Sequence, residues 1–277
     1  MISTKNYVDK KLRKYNLVAN KALGQNFLVE ENIAREIVNS IDLDKNTAVI
    51  EVGPGLGALS EIILEHDCHL YSYEIDKNMV DILKETFKDN SNFEVTNIDF
   101  LKVDMEQVVN NIKKNGQSKI VFMSNLPYYI TSKLLSKIVT SNLDIDNIVV
   151  MMQKEVGQKL IKPEKKDTNQ LYYLLKLNYD SSIVKYVGKN SYLPRPEIDS
   201  IVLKYTKKDK VEDVDFNKFS TLLNAMFQNR RKTIYNNLKS ICENDKIDSI
   251  LNECNIDKNA HIEQITYEQI IKISKLL

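Results

Sequence analysis

The sequence predicts an α/β fold: a parallel sheet covered by helices on both faces, followed by a small helical domain. Two observations carry this expectation. Between residues 47 and 153, short β-branched runs alternate with segments of helical apolar spacing, and strands that alternate with helices at this interval pair in parallel through crossover helices. Past residue 205 the pattern changes to helices alone, behind the charged, aperiodic stretch TKKDKVEDVD at 206–215.

The elements follow in order. ENIAREIVNSI (31–41) reads as a helix ahead of the first strand, because its apolar residues recur every three or four positions. TAVIEV (47–52), HLYSYEI (69–75), NFEVT (92–96), KIVFMS (119–124) and NIVVMM (147–152) read as strands, being short and rich in β-branched and aromatic residues. ALSEIILEH (58–66) and NMVDILKETF (78–87) read as crossover helices between them. FNKFSTLLNAMF (216–227), TIYNNLKSI (233–241) and TYEQIIKISKLL (266–277) carry the helical spacing of the last part. The expected division is a basic N-terminal arm at 1–24, an α/β domain at 25–208 and a helical domain at 209–277.

Composition excludes several classes. Of the 277 residues, 43% are apolar and 28% charged, an ordinary globular balance. No run approaches the roughly 18 apolar residues of a membrane span, and the first 25 residues lack the apolar core of a secretory signal. The three cysteines, Cys68, Cys242 and Cys254, are scattered, which suits a reducing compartment and neither a disulfide framework nor a zinc site. The expectation is a cytoplasmic monomer without metal or membrane.

Net charge is only +1, yet its distribution is uneven. Residues 1–24 hold Lys5, Lys10, Lys11, Arg13, Lys14 and Lys21 against Asp9 alone, and QNRRKT (228–233) forms a second basic knot. Either block alone is ordinary solvated surface; two of them point to a polyanion. Lys10, Lys11, Arg13, Lys14, Arg230, Arg231 and Lys232 are expected to contact phosphates.

The chemistry sits at the strand ends. EVGPGLG (51–57) closes the first strand and opens a helix; glycines there admit a close ligand, and a helix N-terminus favours acceptors. Gly53, Gly55 and Ala58 also satisfy the looser dinucleotide pattern, so the loop alone leaves a nicotinamide cofactor open. In such sheets the ligand lies outside the carboxyl ends of the strands. Glu74 ends the second strand, where a carboxylate can take both hydroxyls of a ribose. Asp99 stands at the end of the third, where it could accept from an adenine amine. The fourth ends in NLPYYI (125–130). The Asn125 side-chain oxygen and the Leu126 carbonyl, held by Pro127, would face an exocyclic amine and accept its two hydrogens, while Tyr128 stacks on the base. An adenine that is flipped or unpaired fits this arrangement. Methyl transfer from the sulfonium of S-adenosylmethionine then needs positioning and electrostatics, not a strong base.

KALGQNFL (21–28), EVGPGLGALS (51–60), NLPYYITS (125–132), MMQKEVGQKL (151–160), YLPRPEIDSIVL (192–203) and NRRKTIYNNL (229–238) resemble, in order, the motifs of the KsgA family. These are bacterial adenine dimethyltransferases of small-subunit (16S) ribosomal RNA. The resemblance implies a Rossmann-like class I methyltransferase sheet, S-adenosylmethionine as donor, and dimethylation of two adjacent adenines in a hairpin loop near the 3′ end of that RNA. It implies cofactor contacts at Asn26, Leu28, Gly53, Glu74, Asp99 and Asn125, with Gly55, Ile75 and Phe100 beside them. It also implies base-stacking rings at Tyr128 and, across the pocket, Tyr192, where the family more often has phenylalanine; as a clamp Tyr192 is expected to be half-exposed, and the alternative is a packing residue where YLPRP leaves the sheet. The stretch DTNQLYY (167–173) lacks the family's glycine–arginine turn. Two other readings use the same fold: a methyltransferase of large-subunit (23S) RNA, and a catalytically idle ribosome-assembly factor. The presence of both Asn125 and Glu74 favours an active enzyme over the idle factor.

Overall fold

A computed structural model describes the backbone of all 277 residues and every side chain except that of Lys21; Lys21, counted above in the basic arm, lies outside the described side chains. The chain divides into two compact units. The first comprises Met1–Gly157 and Ser181–Lys207, the second Gln158–Asp180 and Lys208–Leu277. The helical unit therefore takes in residues 158–180, which the sequence reading placed in the α/β domain.

Nine strands occur in chain order: β1 (Phe27–Leu28), β2 (Thr47–Val52), β3 (His69–Glu74), β4 (Phe93–Asn97), β5 (Lys119–Asn125), β6 (Asn147–Gln153), β7 (Tyr179–Val187), β8 (Tyr192–Leu193) and β9 (Ser200–Lys207). Seven form one sheet in the order β4-β3-β2-β5-β6-β9-β7, while β1 and β8 make a separate antiparallel pair. The pairs β4·β3, β3·β2, β2·β5 and β5·β6 are parallel. All six residues of β2 are buried, as a strand covered on both faces must be. The chain winds outward from β2 to β4, then returns to place β5 on the other side, so the switch point lies between β2 and β5.

The five expected strands are β2 to β6. The sheet is not parallel throughout, however. β9 runs antiparallel to β6, from Gln153 opposite Ser200 to Asn147 opposite Thr206. The expected linker begins inside β9.

Two apolar clusters hold the first unit. Helix Glu31–Val38 buries Ile33, Ala34, Ile37 and Val38, and helix Ala58–Ile63 buries Leu59, Ile62 and Ile63, in one cluster with Val49, Val121, Met123 and Tyr192. The second gathers Ile2, Val8, Phe27, Leu56, Met79, Leu83 and Phe87. Residues 1–24 are thus more than a charged arm. Helix Lys5–Lys14 starts at Thr4, whose hydroxyl accepts from the Tyr7 amide at 3.2 Å, and it buries Val8.

In the second unit, helices Gln170–Asn178, Phe216–Gln228, Ile234–Leu238, Asn244–Glu253 and Tyr267–Leu276 surround Leu222, Leu223, Met226, Leu238, Leu251 and Ile270. Tyr173 stacks on Tyr267 with centroids 6.2 Å apart and packs against Phe227 at 5.7 Å, which is why residues 158–180 belong here. Among the described residues no side-chain cluster could hold a metal ion, and no helix is long and apolar enough to cross a membrane.

Candidate functional site

The strand ends of the first unit converge on one cleft with about 290 Å³ of open space. Its glycine loop follows β2. Gly57 caps the helix Ala58–Ile63 at φ +91°, and a Cβ there would come within 2.8 Å of the Phe87 ring; only glycine fits both demands. A Cβ on Gly53 would lie 3.6 Å from Pro127 Cδ, so the loop and the turn after β5 meet at that point. The Gly53 amide donates to the Tyr73 carbonyl at 2.9 Å and the Gly55 amide to Glu74 Oε2 at 3.2 Å. These bonds fasten the loop to the end of β3.

Glu74 is only 5% exposed, and burial pushes its carboxyl above the usual range. Its two oxygens each accept one backbone N–H, from Gly55 and from Asp76, and each keeps a second lone pair for a ligand. Ile75 follows at 49% exposed, an apolar side chain left at the cleft mouth. Asp99 spends one oxygen on the Leu101 amide at 3.0 Å. A buried acid, an exposed apolar side chain and a second acid side by side suit a ribose and a flat heterocycle. These residues fit S-adenosylmethionine.

Asn125 ends β5. The Leu126 amide donates to the Met151 carbonyl at 3.0 Å, and the Pro127 carbonyl accepts from the Ile130 amide at 3.2 Å and from Thr131 Oγ1 at 3.0 Å. The turn is thereby held on both sides. Among the described residues, the Asn125 amide and the Leu126 carbonyl have no hydrogen-bond partner, and both residues line the cleft.

Every residue expected to bind cofactor or act on substrate lines this cleft: Asn26, Leu28, Gly53, Gly55, Glu74, Ile75, Asp99, Phe100, Asn125, Leu126, Pro127, Tyr128 and Tyr192. One expectation about them is corrected. Tyr192 is not half-exposed but 2% exposed, seated in the core cluster with its hydroxyl 2.8 Å from Ser200 Oγ. Tyr128 remains half-buried, its hydroxyl also 2.8 Å from Ser200 Oγ.

Sequence reasoning missed several cleft residues. Tyr129 is 54% exposed and stands over Gly24, whose Cβ would lie 3.3 Å from its ring. Its place in NLPYYI was visible, its direction was not. Gln25 ties the preceding loop to Asp76 at 2.8 Å. Glu51 lies at the floor of the cleft, 1% exposed, with Oε2 accepting from Ser60 at 2.6 Å and Ser72 at 3.1 Å. Burial pushes its carboxyl up to about 7 against the donation of the two serines, with a further push from Glu74.

The expected phosphate contacts sort into two groups. Lys10 and Arg13 are exposed on helix Lys5–Lys14. Lys11 donates to Thr86 at 3.2 Å and Lys14 pairs with Glu85 at 2.7 Å. In the second unit, Arg231 and Lys232 are exposed. Arg230 instead pairs with Glu263 at 3.0 Å and donates to the Thr168 carbonyl at 2.8 Å. It braces its own unit, so the phosphate expectation narrows to its neighbours.

The ribosomal RNA adenine dimethylase family model matches residues 16–277. The Ribosomal RNA small subunit methyltransferase A of Geobacillus sp. (strain WCH70) is 36% identical over 276 residues, 96% of this chain and 94% of that protein. The protein of the same name from Oceanobacillus iheyensis is 35% identical over 270 residues, 95% of this chain and 92% of that protein. Among solved structures, a dimethyladenosine transferase from Plasmodium falciparum superposes with a TM-score of 0.72 at 20% identity, over 88% of this chain and 94% of that one. The 23S rRNA methyltransferase ErmE gives 0.66 at 20% identity, over 91% of this chain and 99% of that one; these two establish the class I methyltransferase fold. With a family model matched over most of its length, and relatives more than a third identical across nearly all of it, the chain belongs to the ribosomal RNA adenine dimethylase family.

Proposed function

We infer that the protein dimethylates the exocyclic amines of two adjacent adenines in the hairpin loop near the 3′ end of 16S ribosomal RNA, with S-adenosylmethionine as donor. The observation that carries this is the pair of unpartnered oxygens at Asn125 and Leu126, beside Tyr128 and in one cleft with Glu74 and Asp99. Family membership and the names of the relatives support the RNA and its subunit.

S-adenosylmethionine supplies a methyl group already activated on a sulfonium. Glu74 would hold its ribose hydroxyls, Asp99 would accept from its adenine amine, and Ile75 would lie against that ring. The Asn125 side-chain oxygen and the Leu126 carbonyl would accept the two hydrogens of the target amine in the first transfer and the one that remains in the second, turning the lone pair out of the ring, and the nitrogen gives up one proton to water for each methyl it gains. Pro127 keeps these oxygens from following the substrate, so the site is ready before the reaction begins. Tyr128 offers a face to the target base. Burial pushes the phenols of Tyr128 and Tyr192 up, so both stay protonated and neither serves as a base.

Lys10 and Arg13 are exposed on the first unit and Arg231 and Lys232 on the second, and each pair suits phosphates of an RNA backbone. The substrate is that RNA within a partly assembled small subunit. The protein's cysteines are all free thiols, which suits the cytoplasm. The test is to incubate purified protein with the donor and small-subunit RNA lacking the modification, then cut the RNA with a base-specific ribonuclease and weigh and sequence the fragments by mass spectrometry. N6,N6-dimethyladenosine at two neighbouring positions is expected; methylation of large-subunit RNA alone would overturn the reading.

A further inference from the structure

Three hydroxyls meet behind the cleft, all within the first unit. Ser200, the first residue of β9, is completely buried. Its Oγ lies 2.8 Å from the Tyr128 hydroxyl and 2.8 Å from the Tyr192 hydroxyl, and the latter is 3.0 Å from Met151 Sδ on β6. The serine thus joins the turn after β5 to the β8 strand, with β6 behind them.

Proton counting orders these contacts. Each hydroxyl carries one hydrogen and can also accept; the thioether can only accept. With the Tyr192 hydrogen directed to Ser200, the sulfur contact is empty. The geometry has Tyr192 donating to Ser200, which leaves the Ser200 hydrogen for the Tyr128 oxygen, so the serine joins both phenols. Ser200 touches both phenols, whose hydroxyls also act on one another directly.

The link matters because the far end of Tyr128 is held only through its hydroxyl, by Ser200 first and by Tyr192 beside it. Pro127 sets its backbone, while the partly buried ring lines the cleft. A hydrogen bond at the phenol oxygen fixes the far end and so the plane of the ring. Phenylalanine at 192 would leave Ser200 without the second phenol.

We propose that Ser200 is a positioning residue for methyl transfer, holding the Tyr128 ring in the plane on which the target adenine stacks. The proposal rests on the adenine dimethyltransferase reading. Small displacements of a positioning group cost large factors in rate, so Ser200→Ala should lower kcat by about tenfold to a hundredfold, while donor affinity measured by calorimetry stays within about twofold. Tyr128→Phe should show at least as large a fall, and the double variant should be no slower than Tyr128→Phe alone, because that change already removes the Ser200 link. With 2-aminopurine replacing the target adenine, the quenching seen on binding wild-type protein should weaken in both single variants.

The outcomes separate. Wild-type protein that methylates no adenine in small-subunit RNA sinks the functional reading. Active wild-type protein beside a Ser200→Ala variant of equal kcat and equal quenching sinks the role of Ser200. Independent, multiplying effects of the two substitutions would also overturn it, since they would reveal no shared bond. If Ser200→Ala does not fold, Tyr128→Phe with unchanged kcat and quenching is the overturning result.

Discussion

Two glutamates, Glu51 and Glu74, show how neighbouring carboxyls take different tasks from their surroundings. Glu74 was legible in the sequence, because an acid closing the second strand must stand at the rim of a parallel sheet. Its replacement by alanine should weaken donor binding by about 1–3 kcal/mol through lost hydrogen bonds, read by calorimetry on folded protein. Glu51 was not legible. Its neighbours in sequence made it a strand residue, and the two serines that hold it, Ser60 and Ser72, come from a helix and from β3. Its raised carboxyl has a consequence for stability. Below the ordinary glutamate range the group is protonated in both states. As the pH climbs toward about 7, the unfolded chain releases a proton that the folded chain keeps, so stability falls with rising pH. The loss is complete above that value and is on the order of 3 kcal/mol. Glu51→Gln should flatten denaturation midpoints between pH 5 and 7; an unchanged slope would assign that pH dependence to other groups.

At the level of elements, β2 to β6 were readable because strands buried on both faces are nearly continuous apolar runs. The strands β7 and β9 were not. Most of β7 is exposed, so it shows no apolar run, and β9 ends in the lysines of the presumed linker. Helix Lys5–Lys14 was hidden for a similar reason. Its lysines advertise charge, while Val8 is its only fully buried residue. The division at 158–180 depends on Tyr173 meeting Phe227 and Tyr267, contacts that no local pattern announces. The glycine loop, by contrast, was visible and carries a firm expectation. At Gly57, alanine meets both a left-handed backbone and the Phe87 ring, and Gly57→Ala should destabilise the fold by about 1–3 kcal/mol. Thermal melting checks this; an unshifted midpoint would show that Phe87 and the turn both relax.

For the molecule as a whole, binding of RNA by exposed cations should depend on salt, since each phosphate contact releases counterions. Removing Lys10 and Arg13, or Arg231 and Lys232, should flatten the salt dependence by about one unit of slope per lost contact. Arg230→Ala should instead lower the melting temperature, because it cuts the ties to Glu263 and Thr168. An unchanged slope in the first variants, or a flattened one in the last with melting intact, would reverse the sorting. Catalysis, however, is assigned to two oxygens at the end of β5, and the most direct measurement is a single-turnover comparison of wild type with Asn125→Ala. The account predicts that methyl transfer slows by about a hundredfold to a thousandfold, as when one preorganised polar group is removed, while RNA affinity stays within about twofold. Near-normal turnover with weakened RNA binding would contradict it, making Asn125 a docking group and leaving the target amine to be held elsewhere.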